Sequence, residues 1–168
     1  MKKLQKTTLL LLSLVSIIFA QNGEILDVQL EKSATSQKSQ LIKAEIQINA
    51  GSSDGIFIEL PQGLTAVVRS ASIDGNTLWL INSDQPIEKN NVLGWQLNDN
   101  GIVVHYSSDF SGRLNIEIAP DSARLNRFDQ IDITIHQVTR NGGQLNISDA
   151  IVSQSNLNIK SNTPTDEE

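Results

Sequence analysis

The residues able to do chemistry are few and widely spaced. The histidines are His105 and His136, and there is no cysteine. Ser107 and Ser108 follow His105 closely, but no Gly-x-Ser-x-Gly elbow surrounds either serine. Acyl transfer needs a nucleophile, a base and an orienting acid in contact, and no local spacing supplies them. A shared histidine metal site would need His-x-His or His-x-x-x-His spacing, which is absent. The acids alternate along strands or sit in turns, so no carboxylate pair of the glycosidase kind stands out. Asn98-Asp-Asn-Gly101, Asp54-Gly55 and Asp74-Gly-Asn76 offer oxygen ligands, but none follows the helix-flanked calcium-loop spacing, and all read as turns. The pattern predicts no enzyme, no catalytic residue and no cofactor.

One of the two tryptophans, the only tyrosine and one of the two histidines gather in Gly94-Trp-Gln-Leu-Asn-Asp-Asn-Gly101 and its continuation Ile102-Val-Val-His-Tyr106. A turn at Asn100-Gly101 places Trp95 opposite Tyr106 and Leu97 opposite Val104. A longer loop over Asn98–Gly101 shifts these pairs by two and keeps the same faces. Either register puts Trp95 and Tyr106 on the inner side and His105 opposite. Both histidines alternate with apolar residues, so they are expected on solvated faces. Trp79 lies in Thr77-Leu-Trp-Leu-Ile81, which is apolar on both faces. That spacing assigns it first to packing in a covered strand and second to contact with a ligand. Trp79 is the candidate ligand-contact residue.

The elements that must position these residues are strands. Apolar residues recur every second position in Gln40–Asn49, Arg113–Ile118 and Gln130–His136, the period of a sheet with one buried face. Further strands are predicted at 24–31, 56–60, 64–73, 77–81, 92–97, 102–106, 144–147 and 156–160. Gly- and Asn-rich turns separate them. One helical turn is expected in Pro120–Arg127, capped by Asp121 or Ser122. The fold class is all-β, a single antiparallel β-sandwich of jelly-roll or immunoglobulin-like kind.

The ends set the organisation. Met1-Lys-Lys-Leu-Gln-Lys6, an apolar block over Leu9–Phe19 and Ala20-Gln21 describe a secretory signal peptide over residues 1–20. The β domain is expected over 21–160, and the acidic, apolar-free stretch 161–168 as a frayed tail. The leader carries Lys2, Lys3 and Lys6 and no acid, so its removal takes the net charge from −6 to −9. No basic cluster remains to hold nucleic acid or an anionic membrane. No transmembrane segment is expected after cleavage, and the location is secreted or periplasmic.

The strands Gln40–Asn49, Ile102–Tyr106, Gly112–Ile118 and Ile131–Ile135, with the closing Leu145–Asp149 and Asn156–Ile159, give the chain a resemblance. It resembles the cohesin and carbohydrate-binding-module group of bacterial β-sandwiches over nearly the whole mature length. The resemblance implies a non-catalytic module that binds a protein or a polysaccharide, often on a flat sheet face. The chain departs from the group by lacking a row of exposed aromatics, so no binding residue carries over. The function expected is an exported binding or assembly module of the cell envelope or exterior. A protein partner is the first expectation, a polysaccharide the alternative and hydrolysis the third.

Overall fold

The computed structural model describes residues 23–32, 40–51, 53–81, 94–141 and 144–159. The expected leader and acidic tail lie outside the described residues. The strands are β1 (Glu24–Lys32), β2 (Gln40–Ile48), β3 (Gly55–Glu59), β4 (Ala66–Ile73), β5 (Asn76–Thr77) and β6 (Trp79–Leu80). They continue with β7 (Gly94–Asn98), β8 (Gly101–His105), β9 (Gly112–Pro120), β10 (Gln130–Asn141) and β11 (Gln144–Asn158). A short helix α1 (Ser122–Leu125) joins β9 to β10. Asp121 caps it, its carboxylate accepting the Ala123 N–H at 2.9 Å. Among the described residues no helix is long and apolar enough to cross a membrane.

Two sheets result. The first has the order β1-β2-β9-β4-β5 and the second β11-β10-β3-β8-β7-β6. Pairing is antiparallel except for β6 on β7. Strand alternation turns the same residues inward in each sheet. In the first, Leu30, Ile42, Ile118 and Val68 form one cross-strand row, and Val28, Ala44, Ile116 and Ala71 the next. The small Ala44 and Ala71 flank the large Ile116, so the rows interdigitate with the facing layer. In the second, Ile56, Val104, Trp95 and Leu80 share a row, as do Ile135, Ile58, Ile102 and Leu97. Both inner faces belong to one apolar cluster. Branched aliphatics dominate it because their stiff side chains fit a pleated surface.

Local chemistry sets the registers. Ile73 pairs with Asn76 around Asp74-Gly75, whose φ values of 48° and 81° make the tight turn that asparagine, aspartate and glycine tolerate. The β7–β8 hairpin takes the register of the longer loop: Leu97 pairs with Ile102 and Trp95 with Val104. Tyr106 lies one residue beyond β8, buried, its hydroxyl 3.1 Å from Ser53 Oγ. Gly101 is required at its position, since a Cβ there would lie 2.1 Å from the Ile58 carbonyl oxygen.

Two expectations are corrected. The segments 144–147 and 156–160 are not separate strands, because β11 runs unbroken along β10 over fifteen residues with two register shifts near His136. The outer face of the second sheet is not solvated around the histidines. His105 is 0 % exposed and His136 8 %. Phe57, Val103 and Val138 form a second apolar cluster on that face, with Leu145 and Ile147 of β11 packed against it.

Candidate functional site

The outer rows of the second sheet show what became of the histidines. One row runs Val138, Gly55, His105, Gly94, Trp79, and the next runs His136, Phe57, Val103, Gln96. His105 and His136 stand two strands apart and one row out of step, so their Cα atoms are roughly 12 Å apart. They do not share a cleft.

His105 is tied to Arg140, whose Nη2 donates to His105 Nδ1. Burial, and then the adjacent guanidinium charge, push the imidazole from its usual 6.5 down to about 4. The ring is therefore neutral at pH 7 with its proton on Nε2, which is buried with no hydrogen-bond partner among the described residues. Burial likewise lowers Arg140, opposed by the charge of Asp54. Asp54 also accepts the Arg140 backbone N–H at 2.8 Å. Beside this cluster, burial raises Tyr106 to about 12, with the Ser53 hydrogen bond opposing and the Asp54 charge adding. These groups lock together the ends of β3, β8 and β10.

His136 meets an acid. Its Nε2 lies 3.0 Å from Glu59 Oε2 and 3.2 Å from Thr134 Oγ1, and the Thr134 hydroxyl donates to the same Glu59 oxygen at 3.0 Å. Its Nδ1 donates to the Ser148 carbonyl at 3.0 Å. The register shifts of β11 carry Ser148 into that position. Thr134 and His136 are both buried, so hydroxyl and ring hold three strands together beneath the surface. Among the described residues no group of three or more His, Cys, Asp or Glu side chains is placed to hold a metal ion.

The open surface lies at the opposite margin of the same sheet. After the β4–β5 hairpin the chain leaves the first sheet at Leu78, which is buried and donates its N–H to the Ala71 carbonyl at 2.8 Å. One residue later it has joined the second sheet as β6, with Trp79 beside Gly94 and Leu80 beside Trp95. Ile81 secures the pair by donating to the Trp95 carbonyl at 2.8 Å. Its side chain fills the space over Gly94, where a Cβ would come within 2.6 Å.

At this margin the apolar rows of the second sheet outrun their cover. Trp95 is half-buried, while Leu80 and Leu97, at the ends of the two inner rows, are 56 % and 51 % exposed. Trp79 is 74 % exposed. The assignment of Trp79 to packing is thus corrected: its strand is an edge, and the side chain stands in an outer row beside Gly94, on the face turned away from the first sheet. Between β4 and β6 lies a groove of about 530 Å³, lined by Val68, Ala71 and Leu78 from the first sheet's side and by Leu80 and Trp95 from the second, with Trp79 at its rim. Arg69, Ser70, Ser72 and Thr77 complete the lining. Of these, only Trp79 was singled out from sequence as a ligand contact. Leu80 and Arg69 carried no local signal, because their exposure depends on where the neighbouring sheet stops.

No family model, no curated protein and no solved structure matches the chain.

Proposed function

We propose that the protein is an exported, non-catalytic binding module of the bacterial cell envelope or exterior, engaging a protein partner at the β6–β7 margin. The observation that carries this reading is the run of core-face residues into solvent, Trp95 to Leu80 and Ile102 to Leu97, next to the exposed Trp79 indole. Contiguous exposed apolar surface of this kind marks interaction sites, and tryptophan is the side chain most enriched among interface hot spots. The resemblance to cohesin and carbohydrate-binding sandwiches supports the same class. So does the nesting of strands, β2 with β9 in one layer and β3 with β8 in the other. Such nesting is what a hairpin rolled into a jelly roll produces. Export rests on the leader-like residues 1–20. The absence of catalysis rests on the chemical groups themselves: His105, His136 and Thr134 are buried in strand-to-strand contacts, away from the groove.

The test is affinity capture from envelope extract with the tagged mature chain, beside Trp79→Ala and Leu80→Ser. One discrete partner retained by the parent chain and lost by both variants is expected. Equal capture by all three removes the margin as the contact surface.

A second reading is favoured by one observation, the open indole of Trp79 at the rim of a groove that also carries Ser72 and Thr77. An indole face stacks on a sugar ring while hydroxyls bond its substituents. Tryptophan emission titrated with soluble polysaccharides separates the readings. A shift that Trp79→Ala abolishes would favour a glycan, and unchanged emission across a broad panel would remove it.

A further inference from the structure

The groove holds an incomplete strand ladder. β4 pairs with β9 along its length on one side. On the other side, β5 takes only Ser72 and Ile73, and Leu78 takes the Ala71 carbonyl. Among the described residues the edge of Ala66–Ser70 has no neighbouring strand. Five residues of free edge span roughly 17 Å, enough to receive four or five residues of extended chain. At the centre of this edge the ladder has a bulge: Val68 opposes Ile118 and Ser70 opposes Glu117, leaving Arg69 as the extra residue. A bulge re-aims the side chain it carries, and Arg69 is among the residues that line the groove. Arg69 is exposed and makes no ion pair or hydrogen bond among the described residues. The other arginine on this sheet near the groove's level, Arg113, is paired with Glu45 at 2.7 Å. Among the described residues, a guanidinium without an ion pair, on a chain of net charge −6, thus lies in a groove beside an unfilled ladder and an apolar wall.

We propose that this groove takes an extended peptide segment of the partner, which adds as a strand to the free edge of β4. It sets an apolar side chain against Leu80 and Trp95 and a carboxylate against Arg69. The three features each specify one part of the occupant. The free edge calls for backbone amides, which peptides have and glycans lack. The Leu80–Trp95 wall calls for an aliphatic or aromatic side chain at alternate positions. The guanidinium fork calls for a planar carboxylate, which it binds through two parallel hydrogen bonds. The inference rests on the protein-binding reading above and narrows it to a binding mode and a partner chemistry.

The experiment is panning of a random heptapeptide display library on the full mature chain. The best selected peptide is then titrated beside two synthetic twins, one with its acid changed to the amide and one N-methylated at a central backbone nitrogen. Selected sequences should carry Asp or Glu within two positions of an aromatic or branched residue. The amide twin should bind roughly tenfold to a hundredfold more weakly, the cost of losing a charged hydrogen bond. Arg69→Gln should weaken the parent peptide by the same factor and leave the amide twin unaffected. Arg69→Lys should fall between, keeping the charge without the fork. The N-methyl twin should lose at least tenfold through its missing ladder bond. Arg69 is solvent-exposed, so its variants fold, which far-ultraviolet circular dichroism checks. Equal binding of parent and amide twin, or of parent and N-methyl twin, overturns the proposal. If Trp79→Ala still weakens the selected peptides, the protein-binding reading survives that result. Loss of Trp79 dependence as well removes both. Arg69-dependent binding of polygalacturonate, with no peptide selected, also overturns the proposal in favour of an acidic glycan.

Discussion

Acid should loosen this fold through His105, and the size of the effect can be worked from its surroundings. In the folded chain the ring is fully buried beside Arg140 and titrates near 4 rather than 6.5. A folded value below the unfolded one means that unfolding takes up a proton. The stability supplied by the neutral ring is complete above pH 6.5 and is lost as the pH falls through 4. The full difference is about 3 kcal/mol, and about 2 kcal/mol of it is already gone at pH 5. For a domain of this size that moves the urea midpoint down by about 1 M between pH 7 and pH 5. The control is His105→Gln, whose amide oxygen can still accept from Arg140 but does not titrate. The substitution also carries a packing cost that does not vary with pH, so the readout is the difference between the two slopes. All other titratable groups are common to both chains, and their contributions cancel in the difference. The expected result is a variant whose midpoint falls by about 1 M less than the parent's over that interval. Parallel pH profiles for the two chains would refute the argument, because they would mean that His105 is not held neutral by burial and the guanidinium.

Three further outcomes are expected. Ile116→Ala, at the centre of the first sheet's inner face, should cost about 3–4 kcal/mol in urea unfolding through lost burial and the cavity left between Ala44 and Ala71. Gly101→Ala should cost about 2–3 kcal/mol, since its methyl group meets the Ile58 carbonyl and the Phe57 ring; a thermal midpoint equal to the parent's would contradict the close approach of β8 to β3. Asp121→Ala should remove about 1 kcal/mol by uncapping α1, and Asp121→Asn should restore most of it, both read from thermal denaturation.

The strands were legible because their cause is local. Two-residue alternation in Gln40–Ile48, Gly112–Pro120 and the first half of β10 reports a buried face directly, and each of these forms where its pattern lies. Asp74-Gly75 and the Asp121 cap were readable for the same reason, since each acts within four residues. The misreadings all depend on contacts between distant segments. The middle of β11, Ser148–Gln154, has no alternation to mark it as a strand; its pairing with β10 makes it one. His105 and His136 alternate with apolar residues exactly as surface groups do. Their burial comes from the meeting of Phe57, Val103 and Val138 with Leu145 and Ile147, from four separate strands. Trp79 misled in the opposite direction: apolar residues on both faces normally mean a covered strand, but here the strand is the sheet's edge and Trp79 stands on its outer face. The bulge that frees Arg69 leaves no trace in Val67-Val68-Arg69-Ser70, because a bulge is a relation between two strands.

Leu78 joins the two walls of the groove. With β5 in one sheet and β6 in the other, a single buried residue is all the slack the chain has where it changes layers. Parting the walls at this end would therefore pull Leu78 out of the core. An occupant meets a slot whose width is set before it arrives, so little ordering of the receptor opposes its entry. For the peptide occupant proposed above, a slot held in this way would make selection depend mainly on fit.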